Sequence, residues 1–213
     1  MQEQASEFGY DEAHIIRTNG MVVHPAYYQR REDVLRSGVV WPQNPLPTIV
    51  LFFGGYGPPR MRTIAERLLR QFELKLIILV GKNEQLLRSF ESQPLWSSDR
   101  VLVAGFVPPE TLIEYISTAV CVIGKPGPGT VSEAAVLRVP FVTEQNESTL
   151  PQEVCVIKYM RRMGIGVVLD SLEGPYPVDL FEKLNRCRRT LRKYRNEAVF
   201  DVCASIVGLV NVD

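Results

Sequence analysis

Histidine is scarce in these 213 residues. His14 and His24 both lie near the N-terminus, far in sequence from any cysteine, so a His/Cys metal centre has no spacing to build on. Paired cysteines are lacking as well. Cys121, Cys155, Cys187 and Cys203 form no CxxC pair and two of them sit in apolar-periodic segments, so reduced thiols in a cytosolic protein are expected rather than disulfides. Neither charge is in excess: 24 basic and 24 acidic side chains leave a net charge of zero. That balance removes the electrostatic case for nucleic-acid binding, which shows as a basic surplus. The longest apolar runs, at 48–53 and 74–80, fall far short of the roughly 20 residues a membrane span needs. No apolar N-terminal stretch follows a basic one, so no signal peptide is expected. Two common phosphate-binding signatures are missing too. There is no G-x-x-x-x-G-K-[ST] loop, because Lys125 precedes its glycines instead of following them. In the dinucleotide fingerprint G-x-G-x-x-G, Pro58-Pro59 stand where the third glycine belongs.

What the chain does have is a regular alternation from residue 48 onward. Continuous apolar or β-branched runs predict strands over 48–53, 74–80, 100–104, 120–123, 140–143 and 165–169. Between them, helical spacing predicts helices over 61–72, 84–90, 110–117, 130–138 and 150–163, with Pro94–Asp99 as loop. The tail, 178–210, reads as one or two helices rich in Arg and Lys. Residues 1–45 show no sustained period and read as a linker-like segment packing on the domain formed by 46–213. Such alternation implies an α/β fold: a Rossmann-like parallel sheet of about six strands with helices on both faces. Ligands bind such sheets at the carboxyl ends of the strands, where every glycine-rich segment here falls, which predicts one binding crevice.

Five constellations carry candidate chemistry, each beside a plainer reading. Gly54, Gly55 and Gly57 follow the first strand; they either admit a ligand's diphosphate to the backbone or simply make a tight turn. Gly105-Phe106-Val107 ends the third strand, where Phe106 and Val107 either meet a base or cap the core. The strongest set is Gly127, Gly129, Thr130, Val131, Ser132 and Glu133, in a glycine/proline turn opening into a helix. Free N–H groups and the helix dipole there suit a phosphate, and the Glu133 carboxylate suits vicinal hydroxyls. Its plainer reading is a capping box with Thr130 as the cap. After the fifth strand, Glu144, Gln145, Asn146, Gln152 and Glu153 suit sugar hydroxyls or form a solvated loop. The basic run Arg186, Arg188, Arg189, Arg192, Lys193 and Arg195 is either a solvated helix face or a contact for anionic lipid.

These motifs, in this order and spacing, resemble the C-terminal, donor-binding domain of the family 28 glycosyltransferases. Within that family the segment Lys125-Pro126-Gly127-Pro128-Gly129-Thr130-Val131-Ser132-Glu133-Ala134 is most similar to its counterpart in the galactolipid synthases. Residues 17–25 resemble the segment joining the two domains of those enzymes. The resemblance covers roughly residues 17–170 and implies one half of a GT-B fold. It implies a UDP-sugar co-substrate, galactose favoured, and hexosyl transfer to a lipid or lipid-linked acceptor, with no metal and no other cofactor. Phe106 and Val107 then meet uracil, Gly129 and Thr130 the diphosphate, Glu133 the ribose, and Gln152 with Glu153 the donor sugar. No catalytic residue is expected in this chain. The acceptor-binding half, which carries the base, is expected as another domain or subunit, as in the dolichol-linked N-acetylglucosamine transferase whose halves are separate proteins. His24 does not match that base. A cytoplasmic location, or a peripheral one on a membrane face, plastidic if galactolipid-related, follows from the same likeness. One departure stands out: the family continues its Gln-Glu stretch with Lys-Gly-Asn, whereas this chain has Val154-Cys155-Val156. That departure keeps open a second reading, a degenerate nucleotide-sugar-binding module or scaffold without catalysis.

Overall fold

The computed structural model describes residues 7–18, 20–36, 46–91 and 94–210. Of the segment 1–45 that was read as linker-like, residues 1–6, 19 and 37–45 lie outside the described residues. In chain order the elements are α1 (Pro25–Arg36), β1 (Thr48–Phe52), α2 (Met61–Gln71), β2 (Lys75–Gly81), α3 (Glu84–Glu91), β3 (Val101–Gly105), α4 (Pro109–Thr118), β4 (Cys121–Ile123), α5 (Pro128–Val136), β5 (Phe141–Glu144), α6 (Pro151–Met163), β6 (Gly166–Leu169), α7 (Leu180–Leu191) and α8 (Ala198–Val210). All six predicted strands are present, and they form one parallel sheet in the order β3-β2-β1-β4-β5-β6.

The strands are apolar on both faces because both faces are covered. Along β1, Ile49 and Leu51 point to one layer and Val50 to the other, as the two-residue period requires. The first layer packs α2, α3 and α7 through Met61, Ile64, Leu68, Phe90, Leu180 and Leu184. The second packs α1, α4, α5 and α6 through Tyr27, Ile113, Ile116, Val131, Ala134 and Met160. Each large aliphatic side chain buried this way contributes about 1.5–3 kcal/mol relative to an exposed one.

Three expectations need correction. The segment read as irregular contains α1, whose Tyr27 and Tyr28 are buried in the second layer. Its apolar residues fall in two clusters, Ala26-Tyr27-Tyr28 and Val34-Leu35, parted by the charged stretch Gln29–Asp33, so the helical period is short and easily missed. Arg30 fastens α1 to α4, with Nη2 2.8 Å from Glu114 Oε2 and Nε donating to Ser117 Oγ at 3.1 Å. Part of the stretch read as loop is a short 3-10 turn, Pro94–Ser97. Helix α5 begins two residues earlier than predicted, with Gly127 at the cap, because Pro128 carries a φ already suited to the first helical position.

The chain runs outward from β1 to β3, then returns to β4 beside β1 and proceeds the other way. The loops after β1 and β4 therefore diverge, and a crevice opens between them at the carboxyl edge of the sheet. The four cysteines are unpaired; Cys121 and Cys187 are buried, Cys155 and Cys203 exposed. Among the described residues no helix is long and apolar enough to cross a membrane.

Candidate functional site

The turn after β1 is rigid because it is bonded to the neighbouring turn after β2. Gly57 N–H donates to Val80 O (3.0 Å), Lys82 N–H to Gly55 O (2.9 Å), and Asn83 Nδ2 to Gly57 O (2.7 Å). Within it Gly54 has φ +88°, a left-handed conformation that side chains with a Cβ rarely adopt. A Cβ on Gly55 would meet nothing within 4 Å. Gly57 is different: a Cβ there would press on the Met61 side chain and the Val80 backbone, so this glycine answers packing rather than a ligand.

Instead of a single crevice, the carboxyl edge carries two clefts, one on each side of these loops. The first, of about 370 Å³, gathers Gly54, Gly55, Phe106, Val107 and Glu133, together with His24 and Tyr27 from the N-terminal segment. Two loops and one helix thus bring together five of the residues singled out in the sequence, and the N-terminal segment adds the other two. Phe106 is 66% exposed, and Lys82 Nζ sits 5.5 Å from its ring centre, so the aromatic face is not consumed by the core. His24 accepts a hydrogen bond from Ala26 N–H at Nδ1 (3.2 Å), so a neutral ring carries its proton on Nε2.

Glu133 is half-buried, and burial raises its pKa, while the Tyr27 hydroxyl beside it pulls in the opposite direction. The same burial, with Glu133 nearby, pushes the Tyr27 phenol well above its ordinary value. A carboxyl with a raised folded-state pKa favours the fold when protonated, and that contribution is lost as pH rises through the folded pKa. Glu133→Gln, neutral at every pH, is therefore expected to melt about 2–4 °C higher than the wild type above that pKa, the shift produced by ~1 kcal/mol in a chain of this size. Thermal melts across a pH series check this: the advantage should shrink on acidification, and an advantage that grows instead contradicts the burial argument.

Along the chain, the start of α5 links Gly124, Lys125 and Pro126 in the second cleft to Glu133 in the first, while Gly127, Gly129 and Thr130 themselves line neither. No side chain caps this helix, so Thr130 is not a cap and the capping-box reading fails. Gly127 and Gly129 are half-buried, and a Cβ on Gly129 would meet nothing within 4 Å. Pro128 has no N–H to satisfy; the amides of Gly129 and Thr130 sit in the first turn with no side-chain partner, an arrangement suited to an anion. Val131, counted with the site from the sequence, has its side chain in the core at 2% exposure, and its N–H donates to Gly127 O (3.0 Å). Ser132 is buried as well.

The second cleft, of about 410 Å³, is lined by Phe53, Tyr56, Arg60, Lys125, Thr143, Glu144 and Glu153, among others. Its charges are matched in pairs. Arg60 pairs with the buried Glu144, whose Oε2 also accepts from Leu172 N–H (2.8 Å), and Arg60 lies over the Phe53 ring. Lys125 Nζ is 2.9 Å from Oε1 of the buried Glu153, without hydrogen-bond alignment, and Glu153 Oε2 accepts from Leu150 N–H (3.1 Å). The Thr143 hydroxyl is fully buried and has no partner among the described residues. Two cations against two carboxylates leave this cleft near neutrality, with polar atoms on its walls. Gln152 is exposed and lines neither cleft. Gln145 instead accepts from Arg161 Nη1 (2.7 Å), and Asn146 Nδ2 donates to Asp170 O (3.2 Å), so these two fix the loop after β5. Among the described residues no group of three His, Cys, Asp or Glu side chains stands close enough to hold a metal.

Tyr27, Arg60 and Thr143 escaped the sequence reading. Tyr27 sits outside any periodic segment, and Arg60 follows a Pro-Pro turn with no motif around it. Lys125 alone had a signal, its place at the head of the glycine/proline turn.

No family model matches the chain. Curated relatives do. A probable chloroplastic monogalactosyldiacylglycerol synthase 3 of rice (Oryza sativa subsp. japonica) is 28% identical over 213 residues, covering 90% of this chain and 40% of that protein. A processive diacylglycerol beta-glucosyltransferase of Bacillus cereus is 33% identical over 102 residues, covering 45% of this chain and 24% of that protein. Among solved structures, Acinetobacter baumannii MurG superposes with a TM-score of 0.57 at 18% identity, over 85% of this chain and 53% of that one. The chain spans less than half the length of these two relatives. It is homologous to glycosyltransferases of family 28 and has the fold of one half of a GT-B enzyme.

Proposed function

We propose that this chain is the donor-binding half of a lipid hexosyltransferase, holding a UDP-sugar across both clefts. The observation that carries the proposal is the uncapped start of α5 linking, along the chain, a cleft suited to a nucleoside and one suited to a neutral sugar. In this reading Phe106 offers an aromatic surface to uracil while the backbone beside Val107 meets its edge. Glu133 accepts the ribose hydroxyls. The amides of Gly129 and Thr130, with the helix dipole, hold the diphosphate, and Gly54 and Gly55 let the opposite loop close on it. The sugar enters the second cleft, where Glu153 lines the wall and the matched charges suit a ligand that is itself uncharged. Galactose is the favoured sugar, on the likeness to the galactolipid synthases.

Transfer moves the bond at the anomeric carbon. The acceptor hydroxyl oxygen bonds to that carbon, the bond to the β-phosphate oxygen breaks, and UDP leaves with the electron pair. The helix start stabilises the charge that develops on the diphosphate, so neither a metal nor another cofactor is called on. The acceptor's proton goes to a base that an acceptor-binding half supplies, whether as a further domain or a separate subunit. Contact with a membrane face fits the exposed Arg189, Arg192, Lys193 and Arg195 beside the apolar α8, on which Leu209 and Val210 are exposed. Sedimentation with anionic vesicles but not zwitterionic ones is the expected outcome; equal sedimentation, or none, contradicts it.

Calorimetric titration with UDP, UDP-galactose and UDP-N-acetylglucosamine tests the donor site. Binding tighter than ~1 mM, about −4 kcal/mol, is expected, and its absence for all three sinks the proposal. A second reading, a binding module without catalysis, draws on one observation: Glu153 is already paired with Lys125 on the sugar side. In that case UDP alone and UDP-sugars bind equally, whereas the transferase reading expects the sugar to add affinity.

A further inference from the structure

We infer that Tyr27, on α1, is a positioning residue for ribose recognition: its hydroxyl holds one part of the Glu133 carboxylate so that the remainder is presented to a pair of vicinal hydroxyls. The inference rests on the nucleotide reading above and adds a residue to it that no glycine motif contains. Tyr27 is 4% exposed yet lines the same cleft as Glu133, Phe106 and Gly54. The phenol stands beside the carboxylate, close enough that each acts on the other's titration. Because burial keeps the phenol protonated, it remains a donor across the whole working pH range. An ionised carboxylate has about four acceptor positions, so one donated bond leaves it able to take two hydroxyls.

The helix that carries Tyr27 is itself held in place. Arg30 ties it to α4, and the neighbouring Tyr28 donates to Asn196 Oδ1 at 3.3 Å, with Asn196 Nδ2 donating on to Met21 O at 3.0 Å. A phenol on so constrained a helix fixes the carboxylate's direction before any ligand arrives, which is how a supporting residue sharpens a site. The N-terminal segment is thus a wall of the nucleoside cleft, not only a connector.

The test uses the full chain, its Tyr27→Phe, Glu133→Gln and doubly substituted forms, and two ligands, UDP and 2′,3′-dideoxyuridine diphosphate, titrated by calorimetry. The wild type is expected to prefer UDP. Tyr27→Phe should reduce that preference about fivefold while leaving the dideoxy ligand's affinity unchanged. In the Glu133→Gln background the same change should have no further effect, since the carboxylate it orients is gone. Equal weakening of both ligands by Tyr27→Phe, or the same loss in either background, assigns the tyrosine a packing role and overturns the inference. A wild type that binds UDP without preferring it overturns the ribose contact alone, and a wild type that binds neither ligand overturns the nucleotide reading itself.

Discussion

Glu133→Ala is expected to bind UDP about 30-fold more weakly than the wild-type chain, a loss of ~2 kcal/mol, while its affinity for inorganic pyrophosphate stays the same. The size follows from what is removed. Glu133 is the one acidic side chain in the first cleft that lies on the helix whose start would hold the diphosphate, one cleft wall away from Phe106. Hydrogen bonds to a charged acceptor are worth more than neutral ones, and two hydroxyls would share this one. Pyrophosphate has no ribose, so it reports only on the helix start. Parallel calorimetric titrations of both ligands read the difference. An equal loss for UDP and pyrophosphate would mean that Glu133 acts through the helix or the net charge, and the ribose assignment would fall.

The second large effect separates two kinds of glycine. Gly124→Ala is expected to destabilise the fold by about 3 kcal/mol, because its new Cβ would lie inside the contact distance of the Phe52 carbonyl oxygen in β1. That neighbour is backbone in a central strand, and Gly124 N–H is held from the other side by Val142 O (3.0 Å), so neither partner has room to yield. A melting temperature about 6–12 °C lower follows for a chain of this length. Gly129→Ala should do the reverse. Its Cβ would meet nothing, and alanine in the first turn of a helix is favoured over glycine by up to ~1 kcal/mol. Stability should hold or rise, yet the methyl group would stand where a phosphate approaches the amides, weakening UDP by about tenfold. Thermal melts and UDP titrations on the two variants make the comparison. Should Gly129→Ala leave UDP affinity intact, the open space above it is not a ligand's space.

This pair also shows why the fold was easier to read than the site. The six strands were visible because a sheet covered on both faces demands apolar runs, and 49–53 and 76–80 supply them without a break. Helix α1 was not visible because its apolar residues, Ala26-Tyr27-Tyr28 and Val34-Leu35, are parted by the charged run Gln29–Asp33, which leaves too short a period to recognise. The glycine motifs located the carboxyl edge of the sheet and, with it, five residues of the first cleft. They did not say which glycine faces a ligand: Gly57 and Gly124 are demanded by neighbouring backbone, Gly55 and Gly129 by nothing in the protein. Nor did position in a motif distinguish Val131, which turns into the core, from Thr130 before it. The second cleft was the least legible part. Arg60, Lys125, Thr143 and Glu153 come from four separate loops and elements, and only the folded sheet sets them side by side.

The central claim is that a nucleoside diphosphate lies across the start of α5 with its base toward Phe106. Titrating isotopically labelled protein with UDP and following backbone amide resonances tests it residue by residue. The account predicts that the amides of Gly129 and Thr130, Gly54 and Gly55, and Phe106 and Val107 shift together along one saturable curve, with α7 and α8 unmoved. Saturable shifts confined to other surfaces, or none at the helix start, would contradict it.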